Sequence, residues 1–311
     1  MQTMTSSPTD HASPMETSEN APSSTVPQGS TPQVATPGML WSLVESAADF
    51  VRRNTLKAVL SAISVGGLFG VWYLGTKYQV DFYIRFRNIP TPWSVFEEAR
   101  TVLSGNAYYV NVIYSMRRIL MGFFFAILIG APLGLIIGQY RRVSELFMPA
   151  IEILRPIPAI AWVPMSIMLW PTSEASIIFI TFLGAFFPVL LNTVHGVRSM
   201  DGVLLRAGKC LGASEPALLW HVILPAALPQ IFTGLTVGMG VAWVSLIAAE
   251  MISGQYGIGY YTWEAYSLVN YPAIVLGMIT IGFLGLLCSG AIRLIGVVTM
   301  PWLAFAPGGR K

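Results

Sequence analysis

The chain has 311 residues, 54% of them hydrophobic and only 11% charged, with a mean hydropathy of +0.62. That balance belongs to a polytopic membrane protein and excludes a soluble domain. The formal net charge of +3 is small and spread over loops, which excludes a nucleic-acid partner, and the two cysteines, Cys210 and Cys288, fit neither a disulfide framework nor a metal site.

Residues 1–38 are rich in Ser, Thr and Pro and contain no Lys or Arg. Such a stretch cannot bury a core, so a disordered tail is expected. With neither a basic start nor an apolar run, it does not read as a secretory signal. Residues 39–110 read as an amphipathic segment at 39–53, a first span over Leu56–Tyr73 and a polar external segment with a helix at Trp93–Leu103. Five further spans are expected, at Asn111–Gly138, Leu146–Trp170, Ala175–Val194, Ala226–Ile252 and Ala273–Val298. Each is near the ~20 residues that cross the hydrocarbon core. The expected fold is therefore an all-α membrane protein of six transmembrane helices, with its core at residues 111–300 and a cytoplasmic tail at 301–311.

Orientation follows from the basic residues. Arg52, Arg53, Lys57, Arg141, Arg142, Arg198, Arg206, Lys209, Arg310 and Lys311 fall on one side, against Lys77, Arg85, Arg87 and Arg100 on the other. The richer side faces the cytoplasm, taking both termini and residues 199–225 with it.

Within the spans, Gly130, Gly134 and Gly138 recur every four residues, as do the pairs Gly66–Gly70 and Gly234–Gly238. Small faces of this kind let helix backbones approach closely in lipid. The third span carries Pro149, Pro156, Pro158 and Pro164. Those prolines must break or kink it, freeing carbonyls that need cover from protein or a wet cavity, so this span reads as one lining a path.

Between the fourth and fifth spans lies RAGKCLGASEPALLWHVILP, Arg206–Pro225. A helical turn to Leu211, a bend at Gly212, a helix start at Ser214 with Glu215 and Pro216 in its first turn, and a stop at Pro225 describe two short helices. They form a compact knob joined at a glycine.

Gly212, Val222, Leu224 and Pro225 resemble the spacing of the cytoplasmic EAA loop of ABC importer permeases, with Arg206-Ala207-Gly208 standing where that motif opens Glu-Ala-Ala. LRPIPAIAWVP at Leu154–Pro164, Leu191-Asn192-Thr193, Ala248-Ala249-Glu250-Met251-Ile252 and Gly257-Ile258-Gly259-Tyr260 resemble the nitrate/sulfonate/taurine/bicarbonate branch. The resemblance covers about Ser115 to Val298. It implies a type I importer permease of MetI-like fold in the inner membrane, working as a dimer with two ATPase subunits and an external binding protein. ATP and Mg would be handled by the ATPase, which in the family grips this loop. The implied docking residues are Arg206, Ala207, Gly208, Leu211, Gly212, Ala213, Ser214, Leu224 and Pro225, and the implied cargo is a small anion.

Polar groups on the third to fifth spans make Arg155, Trp162, Ser166, Asn192 and Ser245 candidates for the path, with helix caps or packing contacts as the alternative. Glu250 enters about 24 residues into its span, which at 1.5 Å per residue puts it near the external end. Arg118 enters from that same end, so an Arg118–Glu250 ion pair is expected, since a lone charge there is expensive. The chain carries no Walker A, HExxH or GxSxG motif, so it does not read as an enzyme. The rival reading is a secondary transporter or channel, which would place ionisable residues in mid-span.

Overall fold

The computed structural model describes Thr55, residues 59–78 and residues 89–302. The expected tail, amphipathic segment and residues 303–311 lie outside these. The chain divides between Gly66 and Gly67 into two units. Helix α1, Val59–Lys77, begins in the first unit, and Gly66 and Gly70 on it have nothing within 4 Å of where a Cβ would stand.

The other helices belong to the second unit: α2 (Pro92–Leu103), α3 (Asn106–Gln139), α4 (Arg141–Leu154), α5 (Val163–Leu169), α6 (Ser173–Arg198), α7 (Gly202–Cys210), α8 (Glu215–Leu218), α9 (Leu224–Ser253), α10 (Ile258–Ser267) and α11 (Tyr271–Thr299). The start of α2 follows from its sequence: Thr91 Oγ1 accepts from Ser94 N at 3.2 Å and Pro92 takes the first turn.

Glycines set the packing. A Cβ on Gly122, Gly134 or Gly138 of α3 would stand 2.7, 2.7 and 2.6 Å from Thr181, Thr193 and Val197 of α6. The partners advance together along both chains, so α3 and α6 run parallel. On α9, Gly234 meets Asn192 of α6, while Gly184 and Gly196 of α6 meet Ser245 and Gln230 of α9, an antiparallel order. Helix α11 is parallel to α3: Tyr108 Oη bonds Thr280 Oγ1 at 2.5 Å, and Cys288 Sγ reaches Met116 Sδ at 4.0 Å. The core between these helices is aliphatic, with Ile119, Ile177, Ile180, Val189 and Leu246 buried. Leu128, Leu286 and Val297 remain exposed on the outer faces, as expected of a surface solvated by lipid. Hydroxyls inside the spans bond their own helix, Thr181 to Ile177 O at 2.8 Å and Thr193 to Val189 O at 2.7 Å.

Because α3 and α6 are parallel, the chain must be carried back across the bundle between them. The expected third span does this as a broken element: α4 and the segment Ala159–Leu169 are bent by 84°. Pro156 and Pro158 lack the N–H that would continue the ladder, and a four-residue 3-10 helix, Ala159–Trp162, restarts it. Among the described residues, five helices are long and apolar enough to cross a membrane, and the bent pair makes a sixth if it counts as one span.

Two boundaries differ from the sequence expectation. Helix α3 starts at Asn106, not Asn111, and its 34 residues extend beyond the hydrocarbon core. Pro225 does not end a helix: α8, a π-helical turn at Leu219–Ile223 and α9 continue as one 39-residue stretch, Glu215–Ser253. The wider π turn, closed by Leu224 N to Leu219 O, accommodates the proline ring without breaking the helix.

Candidate functional site

Three sites emerge from this frame. The first is the knob between α6 and α9. Asp201 caps α7, its Oδ1 accepting from Val203 N at 2.8 Å, so the helix starts at Gly202 rather than Arg206. It ends in a Schellman arrangement, Ala213 N to Gly208 O at 3.1 Å and Gly212 N to Lys209 O at 3.0 Å. Gly212 has φ +78, the left-handed geometry that makes glycine the residue of choice there. Gly208 is small for another reason: its Cβ would stand 2.5 Å from Leu218 Cδ2. Leu218 and Ile223 are buried and anchor the knob to the bundle. Ser214 occupies the position before α8 but its side chain makes no capping bond. Val203, Leu204, Arg206 and Leu211 all point outward, with Leu211 88% exposed, while Leu224 and Pro225 lie half-buried at the base. Lys209 pairs with Glu215 at 3.5 Å across the bend.

The second site is a buried charge cluster at the opposite end of the bundle. Arg118 Nη1 donates to Glu250 Oε1 at 2.9 Å. The same guanidinium forks onto Glu174 through Nη2 and, at 3.1 Å, through Nε, and its Nη1 also reaches Tyr256 O at 2.5 Å. Glu250 has no exposed surface and accepts further from Ser115 Oγ at 2.8 Å and Gly259 N at 3.0 Å. Ser115 Oγ in turn accepts from Ile258 N at 2.8 Å, and Asn111 Oδ1 from Gly257 N at 2.8 Å. A Cβ at Gly257, whose φ is +123, would collide with the Glu250 carboxylate. Tyr114 stacks on Tyr256 at 5.0 Å, and Arg118 lies over Tyr114. One arginine thus ties α3 to the start of α6, the end of α9 and the α9–α10 turn. Arg117, its neighbour, is exposed.

Glu174 is the residue that sequence reasoning missed. A signal was available: Thr172 caps α6, with Ala175 N donating to its Oγ1 at 3.2 Å, and an acidic residue in that first turn starts at the end where α3 also starts.

The third site is a cavity of about 310 Å³ where the α4–α5 bend faces α6 and α9. Of the expected path residues it gathers Arg155, Trp162 and Asn192. Ser166 and Ser245 are not on its wall. Ser166 is buried against Ser176 at 2.6 Å and Val163 O at 2.9 Å. Ser245 bonds Val241 O at 2.9 Å and packs behind Gly184. Among the described residues, no group of His, Cys, Asp and Glu could hold a metal ion.

A bundle of long apolar helices with a proline-broken span, a cavity at the break and an exposed helical knob defines a multi-pass membrane protein. Residues 130–303 match the family described as binding-protein-dependent transport system inner membrane component, and the chain belongs to that family. It is 43% identical over 195 residues to a putative ABC transporter permease protein of Methanocaldococcus jannaschii, covering 62% of this chain and 73% of that protein. It is 32% identical over 251 residues to the taurine transport system permease protein TauC of Escherichia coli, covering 79% and 90%. Permeases named for nitrate and bicarbonate import also match. The fold is similar to that of a chain in the inward-facing MetNI methionine ABC transporter, at 20% identity and a TM-score of 0.51 over 60% of this chain and 94% of that one.

Proposed function

We propose that this chain is the permease subunit of an ABC importer that carries a small anion into the cytoplasm. The observation that carries the reading is the knob. A rigid, exposed helical turn, anchored by Leu218 and Ile223 and directly continuous with α9, can convert a push from a partner into movement of a span. ATP hydrolysis belongs to a separate subunit docked on Val203, Leu204, Arg206, Ala207, Gly208, Leu211, Gly212, Ala213 and Ser214. The partner must grip the knob differently in its two states, since a ligand shifts an equilibrium only by its differential affinity. An external binding protein delivers the cargo, in keeping with the family description, and a second copy of the chain completes the pore. Both termini and the knob face the cytoplasm, supported by the basic residues on that side. An anionic cargo is supported by relatives named for taurine, nitrate and bicarbonate transport.

Uptake of labelled sulfonates, nitrate and bicarbonate, in a strain lacking and then regaining the gene, tests the cargo; uptake of a cation or neutral sugar alone overturns it. Orientation is read with Cys210, which is exposed on the knob. In a Cys288→Ser background, a membrane-impermeant maleimide should label inverted vesicles and not intact cells, and the reverse pattern overturns the topology.

A further inference from the structure

The cavity at the α4–α5 bend combines three features that together point to a ligand. Arg155, an exposed residue, stands on its wall with its guanidinium bonded to no described residue, although Glu152 lies only one helical turn away on α4. Asn192 spends one amide hydrogen on Pro188 O at 2.8 Å and keeps the other. The rest of the lining is apolar, with Trp162 and Phe187 as its largest walls, and among the described residues no Asp or Glu lines it.

Charge and volume then select the occupant. A cation facing an otherwise apolar cavity draws an anion, and the absence of a carboxylate leaves an ammonium group without a partner. The volume of about 310 Å³ equals roughly ten waters at ~30 Å³ each. An ion of nitrate size would leave most of the apolar wall wet, whereas an organic body would cover it. Asn192 lies six residues before the end of α6 at Arg198, about 9 Å along the axis. The cavity therefore runs from mid-bundle, at Leu183 and Val241, toward the knob-side end, where a cargo passes last.

We propose that this cavity is a cargo-binding site within the permease itself, holding an organic monoanion with its charged oxygens on Arg155 and Asn192 and its apolar body against Trp162 and Phe187. The proposal rests on the importer reading above but goes beyond it, since the binding protein alone could hold the cargo.

The test uses the permease–ATPase complex without binding protein, in nanodiscs of phosphatidylcholine and of phosphatidylglycerol, titrated with 1-butanesulfonate, taurine and nitrate by calorimetry. Butanesulfonate should bind saturably and alike in both lipids, with taurine and nitrate at least ~10-fold weaker, because each forgoes the apolar contact or strands a charge. Arg155→Gln should weaken binding at least ~10-fold, the cost of a charged hydrogen-bond partner, and Arg155→Lys should restore part of it. Val241→Phe, which fills the cavity from α9 without touching a polar group, should also abolish binding; it decides the matter if Arg155→Gln does not assemble. No saturable binding, or unchanged binding in Arg155→Gln and Val241→Phe, overturns the site. Binding lost in phosphatidylglycerol makes a lipid headgroup the occupant and overturns it as well. Cells that import an anion while the complex shows no such site sink this proposal alone; cells that import no anion sink the importer reading.

Discussion

Replacing Arg118 by Gln probes the buried charge cluster, and the geometry sets the size of the effect. Glu250 has no exposed surface and would keep only Ser115 and Gly259 as donors. Breaking a buried ion pair by removing one partner costs about 3–5 kcal/mol, because the remaining charge stays desolvated. Glu174 differs: its side chain is 43% exposed, so water replaces the lost arginine. Glu174→Gln should therefore cost no more than ~1 kcal/mol. At roughly 2–4 °C per kcal/mol for a chain of this size, Arg118→Gln lowers the Tm by on the order of 10 °C and Glu174→Gln by about 4 °C or less. The assay is thermal unfolding of the permease–ATPase complex in nanodiscs, followed by tryptophan fluorescence. The double change Arg118→Gln with Glu250→Gln should cost less than the sum of the singles by about 0.5–3 kcal/mol. Equal losses for Arg118→Gln and Glu174→Gln, or strict additivity in the double variant, would refute the reasoning.

At the knob, Gly212→Val places a β-branched residue at φ +78 and should leave the spans inserted while uptake is lost and ATP hydrolysis runs uncoupled; Gly212→Asn, which tolerates that geometry, should retain most uptake. Normal uptake by Gly212→Val, measured beside the complex's ATPase rate, counts against a docking role. In the bundle, Gly134→Val meets Thr193 and the Leu190 carbonyl and should sharply reduce the amount of folded permease recovered from membranes. Gly282→Ala, with nothing within 4 Å of its Cβ, should match wild type, and a matching loss there would remove close packing as the explanation. Ser115→Ala strips both the Glu250 carboxylate and Ile258 N of a partner and should cost about 1–3 kcal/mol in the same unfolding assay.

How much of this was legible beforehand depends on the range of the interaction involved. Hydropathy along the chain is a one-dimensional property, so the apolar stretches, the prolines that break the third of them and the bend at Gly212 could be read residue by residue. The two short helices of the knob follow from local capping and turn chemistry. Even there, Asp201 rather than a later residue starts α7, and a π turn carries the helix through Pro225, because a backbone already committed to a long apolar helix absorbs the proline by widening. Depth in the membrane is also one-dimensional, and it places Arg118 and Glu250 at one level. It could not say that Glu174 shares the same guanidinium, which requires α3 and α6 to run parallel and adjacent. Nor could it separate the serines from the cavity residues. Ser166 shares the broken span with Trp162, and Ser245 lies on α9, which lines the cavity through Val237 and Val241, but helix rotation turns both serines off its wall, and each bonds a carbonyl of its own helix, Val163 O and Val241 O. Rotation about the helix axis is set by which glycine faces which side chain across the bundle. The tertiary packing alone decides that, and with it which polar groups meet the cavity.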